Sequence, residues 1–456
     1  MNPTFVTVAA VAVFAATYLV MAIGRAPGLR MDRAGAALAG AAFMAALGVL
    51  DADEIFAAID HHTIALLLGM MIVAANLKLA GAFDLAGEAL ARRAARPLPL
   101  LVAVTVSTGV LSAFLVNDTI CLVMTPLVVT LALKLRRDPV PYAIAVATAS
   151  NVGSVATITG NPQNMIIGSL SKIPYVDFAA TLAPVAAIGL ALVVAFVALA
   201  FRREFFGSAD TLPSPLRGGV GGGAGSRKGS VADVALSASL ELHSGPPSPS
   251  PSPQGGGAGS VPLGRRRARV HKPLVAKTLI VTAAMIAAFF AGAPVAGAAI
   301  VGAGVLLVTR RLKPARIWRE IDFPLLVMFC GLFVVTAALR KIAMTPDVLA
   351  VVDGLPLDAP APLTLVSAAL SNIVSNVPAV LVLQPIVERL TDPERAWLVV
   401  AMSSTLAGNL TLVGSVANLI VAERARALGV HVGFWPYLKV GAPLTLATLA
   451  VGLAFV

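Results

Sequence analysis

Long stretches of this chain carry no Asp, Glu, Lys or Arg, among them 1–24, 34–50, 63–77, 139–171, 178–201, 278–309, 323–339, 359–387, 396–422 and 440–456. Hydrocarbon about 30 Å thick takes roughly 20 apolar residues of helix to cross. Several stretches reach that length, and none alternates as a barrel strand does. The chain therefore reads as an all-α polytopic membrane protein, a helical bundle in lipid. Composition agrees: 58% of the 456 residues are hydrophobic and 12% charged, where soluble domains hold roughly a quarter charged. Residues Met1 to Gly24 lack a basic leader and a small-residue cleavage pattern, so they read as a retained first span.

The formal net charge is +11. The basic residues lie between spans rather than on one soluble domain, which argues against a nucleic-acid partner and for the positive-inside rule, with the lipid bilayer as partner. Cys121 and Cys330 lie inside apolar segments and read as core fillers. Residues 204–272 differ in kind. They run through Pro213-Ser214-Pro215, Gly221-Gly222-Gly223 and Pro246-Pro247-Ser248-Pro249-Ser250-Pro251-Ser252-Pro253. Such tracts bury too little surface to order themselves. The expectation is a first transmembrane repeat at 1–203, a disordered Pro/Ser/Gly-rich linker at 204–272 and a second repeat at 273–456.

The repeat is legible in spacing. Gly69 follows Asp60 by nine, and Gly331 follows Asp322 by nine. Asn117 precedes Pro126 by nine, and Asn376 precedes Pro385 by nine. Asp60 to Asn117 is 57 residues and Asp322 to Asn376 is 54. Thr157, Gly160 and Asn164 match Thr411, Gly414 and Asn418 at identical spacing. An ordered series of this kind points to internal duplication. Each half reads as five spans plus a re-entrant hairpin. The first half has spans near 4–24, 34–50, 63–80, 141–170 and 178–201, with a hairpin at 98–135. The second has spans near 275–291, 294–309, 323–340, 396–421 and 434–456, with a hairpin at 360–388. Five is odd, so the second half enters the membrane inverted.

That parity needs Gly292-Ala293-Pro294 to divide 278–309 into two short spans. The charges support the division. One side then collects Arg25, Arg30, Arg33, Arg92, Arg93, Arg96, Lys134, Arg136, Arg137, the basic linker and Arg310 to Arg319. The other receives Asp51, Asp53 and Glu54, with few basic residues such as Lys172 and Lys341. Positive-inside then places the linker in the cytoplasm and both termini outside, as a multi-pass protein of the cell inner membrane. Residues 83–97, with Glu88, Arg92, Arg93 and Arg96, read as an amphipathic arm on the cytoplasmic surface. Asp60 and Asp322 read as helix starts, and His61 and His62 as solvated residues at a span end.

The chemistry concentrates at matched places. The hairpin tips are Asn117-Asp118-Thr119 and Ser371-Asn372 with Ser375-Asn376-Val377-Pro378. Stretch 139–171 is broken by Ser150-Asn151, Gly153-Ser154, Thr157 and Thr159-Gly160-Asn161-Pro162-Gln163-Asn164; stretch 396–422 by Ser403-Ser404-Thr405, Gly408-Asn409, Thr411 and Gly414-Ser415. Polar groups at membrane depth are costly unless they face protein or a watery cavity. Unwound carbonyls with Ser, Thr and Asn oxygens suit a cation such as sodium, and half-helix N-termini suit an anion. Ordinary Gly/Ser helix packing accounts for one such site more readily than for two matched ones. Asp118 is the only acidic residue deep in the apolar segments.

Asp118 within Asn117-Asp118-Thr119, the run Thr157 to Asn164, Ser375-Asn376-Val377-Pro378, and Ile59-Asp60 before Leu67-Leu68-Gly69-Met70-Met71 together resemble the ion transporter superfamily. That group includes arsenite/antimonite permeases, divalent anion/sodium symporters and citrate-transporter-like permeases. The resemblance covers nearly everything outside 204–272. Carboxylate symporters of the group usually carry Ser-Asn-Thr at both tips, so Asn-Asp-Thr and Ser-Asn-Val-Pro lean toward the arsenite-permease-like branch. The resemblance implies one ion site per hairpin tip and facing broken helix, with substrate between, and a homodimer. Its candidate positions here are Asn117, Asp118, Thr119, Asn151, Thr157, Gly160, Asn161, Asn164, Ser375, Asn376, Thr405, Asn409, Thr411, Gly414 and Asn418, with sodium at the same positions. No cofactor is called for beyond a coupling H+ or Na+.

The expected function is a secondary anion or oxyanion permease coupled to protons or sodium. A sodium/proton antiporter with Asp118 as the exchanging carboxylate is the alternative. A membrane-embedded enzyme fits poorly, with no His-Glu-x-x-His, no Ser/His pair at depth and no His/Cys metal cluster. There is no Walker-type nucleotide loop, and two broken-helix hairpins suit alternating access better than a channel.

Overall fold

The computed structural model describes residues 3–24, 28, 30–92, 96–206, 272–343 and 354–456, and these form helices and no strand. The first half holds α1 (Pro3–Ile23), α2 (Arg33–Ala46), α3 (Ala52–Ala58), α4 (His61–Ala80), α5 (Ala82–Arg92), α6 (Pro97–Phe114), α7 (Asn117–Lys134), α8 (Pro139–Ser154), a 3-10 turn (Ile158–Gly160), α9 (Pro162–Ser171), α10 (Tyr175–Ala200) and α11 (Arg202–Phe206). The second holds α12 (Lys272–Phe290), α13 (Val295–Leu307), α14 (Pro314–Trp318), α15 (Phe323–Ala343), α16 (Pro360–Val374), α17 (Asn376–Val387), α18 (Pro393–Ala407), α19 (Val416–Ala427) and α20 (Phe434–Phe455). Of the linker expected at 204–272, residues 207–271 lie outside the described residues, as do Arg25 and Arg93.

Among the described residues, α1, α4, α6, α7, α10, α12, α15 and α20 are long and apolar enough to cross a membrane. Leu19, Ile280, Val301 and Leu446 stand exposed on the outside, while Asn151, Asn164, Asn409 and Asn418 are fully buried. Apolar groups outward and amides inward is the arrangement a lipid solvent selects.

Local signals set the helix starts. Asp60 caps α4, its Oδ1 accepting from the His62 amide (3.0 Å) and its Oδ2 from the Thr63 hydroxyl (2.5 Å). Asp322 accepts from the Leu325 amide (3.0 Å), the equivalent bond at the start of α15. Pro97, Pro139, Pro162, Pro360 and Pro393 each stand in a first turn, where no amide is missed. The turn at Gly292-Ala293-Pro294 separates α12 from α13, as the charge pattern requires.

Both expected hairpins are present: α6 packs against α7, and α16 against α17. Both expected broken helices are present too, α8 giving way to α9 and α18 to α19. One expectation is refined. The spans expected at 34–50 and 294–309 are α2 and α13, of only 14 and 13 residues, and too short to cross alone at 1.5 Å per residue. Each lies along a full-length helix of the other half, α2 against α15 and α13 against α4. The contacts are backbone-close. A Cβ on Gly69 would stand 2.8 Å from the Ala299 carbonyl carbon, and one on Gly331 2.5 Å from that of Ala37. The glycines nine after Asp60 and Asp322 are therefore equivalent packing points.

Two ion pairs show how α4 and α15 run. Lys78, at the end of α4, meets Glu320 just before α15 (2.6 Å). Lys341, at the end of α15, meets Glu54 in α3, ahead of α4 (2.5 Å). The end of each helix lies beside the start of the other, so these corresponding helices are antiparallel. The Lys341 hydrogen bond, with the Asp51 amide, holds the exposed Glu54 carboxyl below the usual carboxylate range.

Candidate functional site

The break in each broken helix is held by an asparagine from the helix that follows. Asn164 Nδ2 donates to the carbonyls of Ser154 and Thr157 (both 3.1 Å). Asn418 Nδ2 donates to those of Gly408 (2.7 Å) and Thr411 (3.1 Å), the matching positions. A Cβ on Gly160 would collide with the Ser154 carbonyl, and one on Gly414 would stand 3.0 Å from that of Gly408. Unwound carbonyls are costly in a membrane interior, and these amides satisfy them.

The halves then lock to one another by reciprocal contacts. Asn151 Nδ2 donates to Asn418 Oδ1 (3.1 Å), and in the corresponding place the Thr405 hydroxyl faces Asn164 Oδ1 (3.5 Å). The Ser415 hydroxyl donates to Asn151 Oδ1 (3.3 Å), and Asn161 Nδ2 donates to Thr405 Oγ1 (3.3 Å). Exchanging the halves exchanges the members of each pair. Asn151 also gives Nδ2 to Asn409 Oδ1 (2.9 Å) and receives Asn117 Nδ2 (3.2 Å), which ties the first hairpin tip to the centre.

A cavity of about 50 Å³ opens on this network. Asn117 and Asp118 line it from the first tip, and Ser375, Asn376, Val377 and Pro378 from the second. Pro162 and Gln163 come from one break, Ser415 from the other, and Arg33 from the start of α2. The Asp118 carboxylate makes no hydrogen bond and no ion pair with any described residue. Arg33 Nε donates to the Met21 carbonyl (3.1 Å) at the end of α1.

The structure thus gathers Asn117, Asp118, Ser375 and Asn376 at the cavity. It places Asn151, Asn161, Asn164, Thr405, Asn409 and Asn418 in the bracing network behind it. Thr411 contributes a carbonyl, and Gly160 and Gly414 a close approach. The Thr157 hydroxyl is spent on the Ala113 carbonyl. Thr119 makes no hydrogen bond with a described residue and lies outside the cavity lining. The sequence-based candidate positions omit Arg33, Gln163 and Ser415, although the last two stand in the polar runs that break the helices. Arg33 sits in a basic loop cluster and reads as one more surface charge until α2 folds against α15. Ser415 could have been found, because it matches Asn161 in the repeat.

A second, wider cavity of about 450 Å³ lies further along α15. Leu325, Met328 and Phe329 of α15 line the first, and Phe333, Thr336, Ala337 and Arg340 the second. α17 divides likewise, with Val377 and Pro378 against Leu381, Gln384 and Pro385. Between the two stands Tyr18 of α1. Its hydroxyl is 3.2 Å from Thr336 Oγ1 and 3.4 Å from the Pro378 carbonyl, to which it donates.

Paired hairpins and paired broken helices meeting at a polar cavity, in a bundle with an apolar exterior, define a multi-pass membrane transporter. The chain belongs to the citrate transporter family, whose model matches residues 17–394. It is 30% identical over 466 residues to the silicon efflux transporter LSI3 of Oryza sativa subsp. japonica, covering 94% of this chain and 93% of that one. It is 25% identical over 494 residues to the putative transporter arsB of Dictyostelium discoideum, covering 94% and 88%. Its fold is similar to that of the Alcanivorax borkumensis YdaH transporter, with a TM-score of 0.53 at 13% identity over 100% of this chain and 97% of that one.

Proposed function

We propose that this chain is a secondary active transporter for a small inorganic or organic anion, such as an arsenite-type oxyanion, driven by a proton or sodium gradient. One observation carries the reading: Asp118, a carboxylate that makes no hydrogen bond or ion pair with a described residue, faces a cavity bounded by both hairpin tips. An ionised carboxylate at membrane depth is costly until a cation or proton neutralises it, so occupancy of Asp118 is linked to the ion gradient. Arg33 in the same wall supplies a guanidinium for an anion. The relatives' names, a silicon efflux transporter among them, agree with a transporter of a small solute. The antiparallel run of α4 and α15, with the reciprocal asparagine contacts, supports two inverted repeats and alternating access between the two cavities.

The test is flux in proteoliposomes holding the purified full chain. Arsenite, silicic acid, sulfate, citrate and succinate are offered in turn, with the proton and sodium gradients collapsed separately. One of these solutes moves faster with a gradient than without. Sodium moving against protons with none of the solutes present would instead establish the antiporter, with Asp118 as the exchanging group.

The orientation proposed is linker inside and both termini outside, in the cell inner membrane, on the charge asymmetry alone. A cysteine placed at Ser230 of the otherwise cysteine-free protein is expected to stay unlabelled by an impermeant maleimide until the cells are lysed. Labelling of intact cells would reverse the orientation.

A further inference from the structure

The two cavities come within one helical turn of each other. On α15 the last residue lining the first is Phe329, and the first lining the second is Phe333, four residues or about 6 Å further along. On α17 the step is from Pro378 to Leu381, about 4.5 Å. A partition that thin is the depth of one side chain, and Tyr18 supplies it. Tyr18 is the one phenol of α1, whose other side-chain hydroxyls are Thr4, Thr7 and Thr17. It is 5% exposed, and a phenol buried at membrane depth calls for a hydrogen-bond partner. It has two, and they belong to different walls. Thr336 lines the second cavity, and Pro378 lines the first. The phenol has one proton and gives it to the Pro378 carbonyl, so in the other contact the Thr336 hydroxyl donates. The chain of donors from Thr336 through Tyr18 to Pro378 crosses the partition.

The ring is held firmly on one side. Phe14, one turn earlier in α1, stacks on it with centroids 4.2 Å apart. A Cβ on Gly40 would collide with Thr17 Oγ1, so α1 lies backbone-close on α2 right beside Tyr18. Both α1 and α2 pack on α15, the helix that carries Thr336. The contact with Pro378 is of another kind. Pro378 stands in the first turn of α17, at the second hairpin tip. The phenol reaches its carbonyl at 3.4 Å, longer than an O–H···O bond normally is. The weak side of the partition is therefore the side that faces the hairpin.

We propose that Tyr18 is the barrier of the transport path: its ring closes the passage between the two cavities, and the Tyr18–Pro378 contact parts when solute moves from one to the other. The proposal rests on the reading that solute passes between these cavities, and deepens it by naming the residue that keeps them apart. Thr336 acts through the phenol, as a positioning residue that holds the ring in line.

The test reads the barrier without solute or gradient. In the full chain with Cys121 and Cys330 replaced by alanine, a reporter cysteine is placed at Met328 in the first cavity or at Ala337 in the second. An impermeant sulfonatoethyl methanethiosulfonate is added to intact cells and, separately, to inside-out vesicles. The side that labels Ala337→Cys is the side from which Met328→Cys is read. With Tyr18 in place, Met328→Cys should label at least about tenfold more slowly than Ala337→Cys. Tyr18→Phe keeps the ring and loses the hydroxyl, and should speed labelling of Met328→Cys about fivefold, the scale of one lost hydrogen bond. Thr336→Val should act in the same direction, and Thr336→Ser, which keeps the hydroxyl, should leave the rate near its starting value. Tyr18→Ala should bring Met328→Cys close to the rate of Ala337→Cys; if it does not fold, Tyr18→Phe and Thr336→Val carry the test. Labelling of Ala337→Cys should be indifferent to all four changes. A Met328→Cys rate unchanged by Tyr18→Phe overturns the proposal and leaves the transporter reading standing, because wild-type flux is measured independently. Equal rates for the two reporters with Tyr18 in place, or no labelling of Ala337→Cys from either side, overturn the partition itself. Faster labelling of Met328→Cys in Tyr18→Phe, in a protein that shows no gradient-driven flux, would keep the barrier and strike the coupled-transport reading.

Discussion

Asp118→Asn is expected to abolish gradient-driven transport while the protein still inserts and folds. The substitution keeps the side-chain shape and removes the charge. No described residue hydrogen-bonds to the Asp118 carboxylate, so the change strands no hydrogen-bond donor and costs only the longer-range attraction to Arg33, and stability should move little. What disappears is the group that, under the proposed function, links cavity occupancy to the ion gradient. A coupling free energy of a few kcal/mol corresponds to about a hundredfold in rate, and that is the expected loss of gradient-driven flux. Slow exchange of substrate down its own gradient should persist, because Arg33, Asn376 and Ser375 remain in the wall. The measurement is proteoliposome flux against pH and sodium, with the thermal midpoint as the folding control. Asp118→Asn retaining wild-type coupled flux with unchanged pH and sodium dependence would remove Asp118 from the coupling role.

Asn151→Leu is expected to have the largest effect on stability. Asn151 is 1% exposed and joins three parts of the molecule. Its amide nitrogen serves Asn409 and Asn418 of the second broken helix, and its oxygen accepts from Asn117 of the first hairpin and from Ser415. Leucine keeps the branched four-atom skeleton in slightly bulkier form, so the change removes hydrogen bonding and opens no cavity. It strands two amide oxygens, one amide nitrogen and one hydroxyl in an apolar interior. Interhelical hydrogen bonds in membranes are individually modest, but stranded buried partners add their own cost, so about 2–4 kcal/mol is expected. The readout is the unfolding midpoint in detergent, which should fall by several degrees. Asn151→Leu with a midpoint at the wild-type value would mean that the asparagine cluster does not hold the halves together.

The sequence by itself determined the solvent and the plan. Charge-free runs too long for a soluble core require lipid. Matched spacings at Asp60 and Asp322, Asn117 and Asn376, and Thr157 and Thr411 locate two hairpins and two broken helices, because Gly, Pro and buried polar residues interrupt an apolar helix wherever they fall. Asp118 stood out as the one deep carboxylate for the same reason. Only the tertiary structure decided which polar residues face the cavity and which brace it. Asn151, Asn161, Asn164 and Asn418 have the same residue type and depth as Asn117, and nothing local separates a cavity-lining side chain from a brace. The difference lies in what each amide meets across the interface between the halves, a contact between residues more than 240 positions apart in several cases. Arg33 reached the cavity in the same way, since a loop arginine is a surface charge until α2 packs on α15.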